Sequence, residues 1–221
     1  MIDAAAARIK SLLIATHFGP TVLVVSITFF LALSQFSFIR AMQVALAIFA
    51  GQLVVGWSNE VIDYPLDKSA NRIKKPLVSG EISINLLEKL IPLALVSATL
   101  LSYFGPLGLL GTFLHLLGIL SATLYNLKLK STLLSPIPYL ISFSGLPWAI
   151  YIAAGTTPPP WLYIALALFS TSFHFLNVLK DLQGDLDQKV LGLPQRLGKN
   201  GSIFVASFLA VTGILVVLFL R

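Results

Sequence analysis

The chain has 221 residues, of which 57% are hydrophobic and 11% charged, and its mean hydropathy is +0.89. A chain this apolar cannot keep its surface in water, so lipid is its solvent. The absence of cysteine excludes disulfides, thiolate metal sites and cysteine nucleophiles. The net charge of +6 lies in short pieces between apolar runs, a pattern of membrane topology and anionic headgroups rather than of nucleic-acid binding.

At the N-terminus Arg8 and Lys10 precede an apolar run, as in a signal peptide, but the run is too long and Asp3 comes before it. It reads as a retained first helix. A bilayer core of about 30 Å takes about 20 apolar residues of helix, which converts uncharged stretches into spans. Residues 11–39 hold one helix, expected to bend at Gly19-Pro20 because proline lacks an N–H. Residues 41–59 hold the second. Residues 90–127 hold two, parted at Phe104 to Gly108, and residues 131–179 hold two more, parted at Gly155 to Pro160. Residues 200–220 hold the last. The reading is therefore an all-α polytopic bundle of about seven transmembrane helices forming a single domain over residues 1–221.

Threading these helices puts the N-terminus and residues 60–89, 125–131 and 177–200 on one side. Of the 15 basic residues only Arg40 and Arg221 fall on the other, leaving 13 that mark the first side as cytoplasmic. All nine Asp and Glu residues share that side.

The end of the second helix carries Asn59, Asp63 and Asp67, and the end of the sixth carries Asn177, Asp181 and Asp185. Both read N-x-x-x-D-x-x-x-D, at an offset of 118 residues that also relates Pro76 to Pro194 and Gly80 to Gly198. The match reads as an internal repeat. Residues four apart share a helix face, so each copy aims an amide and carboxylates one way. Pro65 is expected to end the second helix and leave Asp67 on the following loop. Four carboxylates around one cavity would repel, and a hard divalent cation relieves this; Mg²⁺ fits best, since it takes a few carboxylates together with waters and phosphate oxygens.

The paired Asp-rich motifs resemble those of the UbiA-type membrane prenyltransferases. The likeness extends to the basic loop from Asp67 through Lys74-Lys75-Pro76 to Gly80, to Tyr125-Asn126-Leu127-Lys128-Leu129-Lys130, and to Leu193-Pro194-Gln195-Arg196-Leu197-Gly198. It covers roughly residues 8–215. Three departures stand out: Glu60 where the family has Asp, Lys189 where a third aspartate is common, and seven helices against the family's nine.

The resemblance implies Mg²⁺-dependent transfer of a polyprenyl group from a prenyl diphosphate to an aromatic or other lipophilic acceptor, at the cytoplasmic face of a cell or inner membrane. It implies Asn59, Asp63, Asp67, Asn177, Asp181 and Asp185 as metal-site residues, with Asp63, Asp67, Asp181, Asp185, Arg72 and Lys128 in the chemistry. Lys75, Tyr125 and Lys130, with the two asparagines, would bind substrate. His174, one turn before Asn177, is either structural or orients the acceptor. Three alternatives remain: phosphoribosyl or other group transfer to a polyprenyl phosphate, a truncated noncatalytic relative, and a transporter. Transporters place ionisable groups near the bilayer midplane, whereas every carboxylate here is at one interface.

Overall fold

The computed structural model describes residues 2–221, which are helical with no strand, and divides into two compact units, residues 1–112 and 113–221.

The first unit starts with α1 (Ile2–Ile14) and α2 (Phe18–Leu33), which are bent by 77° across the three residues between them. The bend is not at Gly19-Pro20. It falls at Ala15-Thr16-His17, where His17 takes a left-handed conformation (φ 57°, ψ 61°). Pro20 instead sits in the first turn of α2, where a helix has no partner for its N–H groups and proline costs nothing. The next helix, α3 (Phe38–Ser69), has 32 residues and so is about 48 Å long, well beyond the hydrocarbon core. Its buried face includes Ala41, Ala45, Gly51 and Gly56, small residues that let backbones approach in lipid. Pro65 does not end α3. It removes one hydrogen bond, to the Val61 carbonyl, and the helix runs on for another turn. A single turn, α4 (Pro76–Ser79), leads to α5 (Ile84–Tyr103), which is capped by the Ser83 side chain accepting from the Leu86 N–H at 3.3 Å.

The first unit ends within α6 (Gly108–Leu127). The second unit continues through a 3₁₀ turn at Leu129–Ser131 to α7 (Ile137–Ala153), α8 (Pro160–Val178), the short α9 (Leu182–Asp187) and α10 (Leu193–Leu220). Helix α8 packs on both α7 and α10, with the Ser172 hydroxyl donating to the Ala206 carbonyl at 2.8 Å. Helix α10 begins seven residues before the expected apolar run, with a polar turn kinked at Gly198 (φ 67°, ψ −175°).

The seven expected helices correspond to α2, α3, α5, α6, α7, α8 and α10. Among the described residues α3, α5, α6, α8 and α10 are each long and apolar enough to cross a membrane, which gives five spans, or six counting the bent α1–α2 pair as one, and α7 is a shorter apolar helix of 17 residues.

Candidate functional site

In the first unit the motif lies on the last turns of α3. Asp67, expected on a loop, is helical and only 2% exposed. Two cations from the following loop reach back to it. The Arg72 guanidinium donates to Asp67 Oδ1 at 3.0 Å, and the Lys75 ammonium lies 3.4 Å from Asp67 Oδ2. Lys75 also donates to Glu60 Oε2 at 3.0 Å, and Glu60 Oε1 lies 3.5 Å from the Leu77 N–H at the start of α4. Burial alone would lower the Lys75 pKa, but the neighbouring Glu60, Asp67 and Asp63 carboxylates outweigh it and raise it above 10.5. The basic loop is thus fastened to α3 by two buried carboxylates. Asp63, between these two on α3, is half-buried. Asn59, a further turn back, donates from Nδ2 to His17 Nε2 at 2.8 Å.

In the second unit the helix carrying the motif breaks. Only Asn177 lies on α8; Asp181 is exposed at the N-cap of α9, and Asp185 is half-buried on α9. The amide of Asn177 accepts from Lys180 at 3.2 Å. Asp185 Oδ2 accepts from the buried Gln195 side chain at 2.8 Å. Lys128, just before the 3₁₀ turn, is exposed, and Lys130, within it, is half-buried. A Cβ on Gly192 would stand 2.3 Å from the Lys130 carbonyl oxygen, so only glycine lets the start of α10 approach this loop. Tyr125 meets the edges of Tyr139 and His174, and Tyr139 stacks on His174 at 4.5 Å between ring centres. His174 itself is fully buried, with Nε2 3.3 Å from the Ser135 hydroxyl, which in turn accepts from the Leu193 N–H at 3.1 Å. It anchors Tyr125 and the start of α10 from behind.

The same backbone turn follows each copy. The Ala70 N–H bonds the Leu66 carbonyl, Asn71 bonds Lys68 and Arg72 bonds Asp67, at 3.0, 3.1 and 3.0 Å. At the 118-residue offset, Gln188 bonds Gly184, Lys189 bonds Leu186 and Val190 bonds Asp185, at 3.1, 3.0 and 2.8 Å. Asn71 and Lys189 both have positive φ, at 51° and 60°, as do Gly80 and Gly198, at 79° and 67°.

Among the described residues no three His, Asp or Glu side chains stand close enough to form a ready-made metal cage. Mg²⁺ needs none, because it is commonly held by one or two carboxylates with waters and substrate phosphates. In the first unit Asn59 and Asp63, and in the second Asp181 and Asp185, each offer hard oxygen donors of that kind. Asp67 already has its cations.

The UbiA prenyltransferase family profile matches residues 11–221. The chain belongs to that family. Solved structures agree on the fold. A digeranylgeranylglyceryl phosphate synthase superposes with a TM-score of 0.71 at 22% identity, over 95% of this chain and 76% of that one. A UbiA homolog from Archaeoglobus fulgidus bound to Cd²⁺ gives 0.76 at 14%, over 95% and 77%. The apo UbiA homolog from Aeropyrum pernix K1 gives 0.75 at 19%, over 90% and 77%. A search of curated proteins finds no match. The chain is an integral membrane protein of the UbiA family, whose members are prenyltransferases.

Within this UbiA-family chain, several residues that shape the site escape a reading of the motifs alone. Glu60, noted in the sequence only as a departure, ties down Lys75. His17, Ser135, Tyr139 and Gln195 act through partners distant in sequence. Gln195 lies inside a recognised segment, yet nothing local reveals that Asp185 is its partner.

Proposed function

We propose that the chain transfers a polyprenyl group from a prenyl diphosphate to an aromatic or other lipophilic acceptor, with Mg²⁺, at the cytoplasmic face of the membrane. The observation that carries this reading is the repeated polar turn: two Asn-Asp-Asp triplets, each closed by the same backbone hydrogen bonds at a 118-residue offset. We read the two as halves of one duplicated domain. The Cd²⁺ on the Archaeoglobus homolog and the prenylated-lipid chemistry named for the synthase support a divalent cation and an isoprenoid donor.

Asn59, Asp63, Asn177, Asp181 and Asp185 would hold Mg²⁺, which when bound neutralises charge on the diphosphate. The chain's own cations complete the work. Arg72, Lys128 and Lys130 attract diphosphate oxygens, and the Tyr125 hydroxyl can donate a hydrogen bond. The allylic C–O bond breaks and its electron pair leaves with the diphosphate. The acceptor then supplies a pair to the allylic carbon and loses a proton. Preorganised positive charge beside the leaving group favours the first of these events. Asp67 and Glu60 hold the loop bearing Arg72 and Lys75 in place.

Protein purified in detergent should release diphosphate from geranylgeranyl diphosphate in the presence of an aromatic acceptor, and EDTA should stop it. If no allylic diphosphate in a panel of chain lengths gives release with Mg²⁺, the reading is wrong. For orientation, single cysteines replacing Ser69, Ser131 and Lys189 should all resist an impermeant thiol reagent added outside intact cells. Labelling of one alone would overturn the threading.

A further inference from the structure

The bend between α1 and α2 has no local cause. None of Ala15, Thr16 and His17 is glycine or proline, and a left-handed conformation costs a side-chain-bearing residue about 1–2 kcal/mol. Helix α3 imposes the bend. Trp57 Nε1 on α3 donates to the Leu12 carbonyl at 3.1 Å, and within the arm itself the Thr21 hydroxyl donates to the Thr16 carbonyl at 2.8 Å. Ala15 and Thr16 are 1% and 2% exposed. A Cβ on Gly56 would stand 2.5 Å from the Thr16 Cα, so the main chain of the bend lies directly on α3, one turn before Asn59.

This construction delivers one functional group. His17 is exposed, and its Nε2 lies 2.8 Å from Asn59 Nδ2. An amide nitrogen has no lone pair to offer, so the Asn59 Nδ2–H donates and the ring nitrogen accepts. With Nδ2 committed to the ring, the amide turns Oδ1 away from it. That oxygen is the hard donor that a divalent cation takes.

We propose that His17 is a positioning residue for the metal site: it fixes the amide of Asn59 so that the oxygen, not the nitrogen, is presented to Mg²⁺. The inference rests on the assignment of Asn59 to that site. It adds a residue outside both Asp-rich motifs, held by a backbone strain that α3 maintains.

The test uses His17→Gly, because glycine adopts the left-handed conformation freely and the change removes only the imidazole. Mn²⁺ affinity of the full-length protein in detergent is read by electron paramagnetic resonance with inorganic diphosphate present, and turnover is followed against Mg²⁺ concentration. His17→Gly should weaken Mn²⁺ binding about 10–100-fold, as loss of an outer-shell partner does, with a matching rise in the Mg²⁺ needed for half-maximal turnover. His17→Gln, whose Oε1 can accept the same proton, should recover most of the loss. In an Asn59→Asp background, which has no amide proton to give, His17→Gly should cost nothing further. Equal Mn²⁺ affinity of His17→Gly and a competent wild type overturns the inference alone, as does a loss that persists undiminished in the Asn59→Asp background. A wild type that neither binds Mn²⁺ nor turns over prenyl diphosphate overturns the proposed function and the inference with it.

Discussion

The segments that follow the two motif copies share a backbone and differ in what their side chains hold. Around Asp67 the turn is closed by charge: Arg72 and Lys75 converge on a carboxylate buried at the end of a continuous 32-residue helix. Around Asp185 it is closed by a neutral amide from Gln195, on a six-residue helix after a break. The two cations on Asp67 offset much of the charge that a metal would use, whereas an amide offsets none. A repeated motif thus fixes where carboxylates sit but not what each is for. The first copy builds a basic loop and the second leaves an acidic one.

The largest effects should come from the middle aspartates of the two motif copies. Asp63→Ala and Asp181→Ala should each lower turnover about 10²–10³-fold, the scale of losing a group aimed at developing charge, with the melting temperature in detergent nearly unchanged. Asp67→Asn should instead show up in stability, and near-normal stability with turnover lost would remove the asymmetry. Next is Lys75→Met, which takes the cation from buried Glu60 and one of the two cations from Asp67, and should cost on the order of 3 kcal/mol in denaturant unfolding. The sign of the pH effect follows. Because the folded pKa of Lys75 is raised, its contribution is complete below the ordinary value of 10.5 and disappears only as the pH climbs through the raised folded value. The wild type should therefore lose stability at alkaline pH, and Lys75→Met should abolish that loss.

Gln195→Leu tests the other side. It should reduce turnover about 10–100-fold by freeing Asp185, while Gln195→Glu, which puts a second carboxylate beside it, should do worse. Equal activity of all three would mean that the amide does not matter to Asp185. The smallest effects belong to the glycines that end the repeated turns. No atom lies within 4 Å of a Cβ added at Gly80 or Gly198, so alanine there meets only backbone strain. Gly80→Ala should cost about 1 kcal/mol, and Gly198→Ala more, about 1–3 kcal/mol, because its φ and ψ fall in a region open essentially to glycine alone.

Helix number and order were legible because apolar run length is a direct measure of span, and Gly-Pro clusters at 104–108 and 155–160 do part the helices there. Proline misled twice. Pro65 lies inside α3 and Pro20 opens α2 rather than bending it, because a missing N–H matters only where a carbonyl waits for it. The break after Val178 carries no glycine or proline, and the bend at His17 is made by contact with α3. Neither has a local signature. In the candidate site, the motif residues could be read from spacing alone, whereas the contacts that Glu60, Gln195 and His17 make there are decided by the tertiary fold.

The way the N-terminal arm is docked has a consequence for how this protein can drift. Helix α3 grips the arm through its main chain, by the Trp57 bond to the Leu12 carbonyl and the bare Gly56 surface against Thr16. Carbonyls are the same whatever residue bears them. Substitutions at Leu12 and Leu13 should therefore be tolerated in a saturation library, while Gly56 and Trp57 should accept almost none. The sequence that determines the arm's position is written in the helix that receives it.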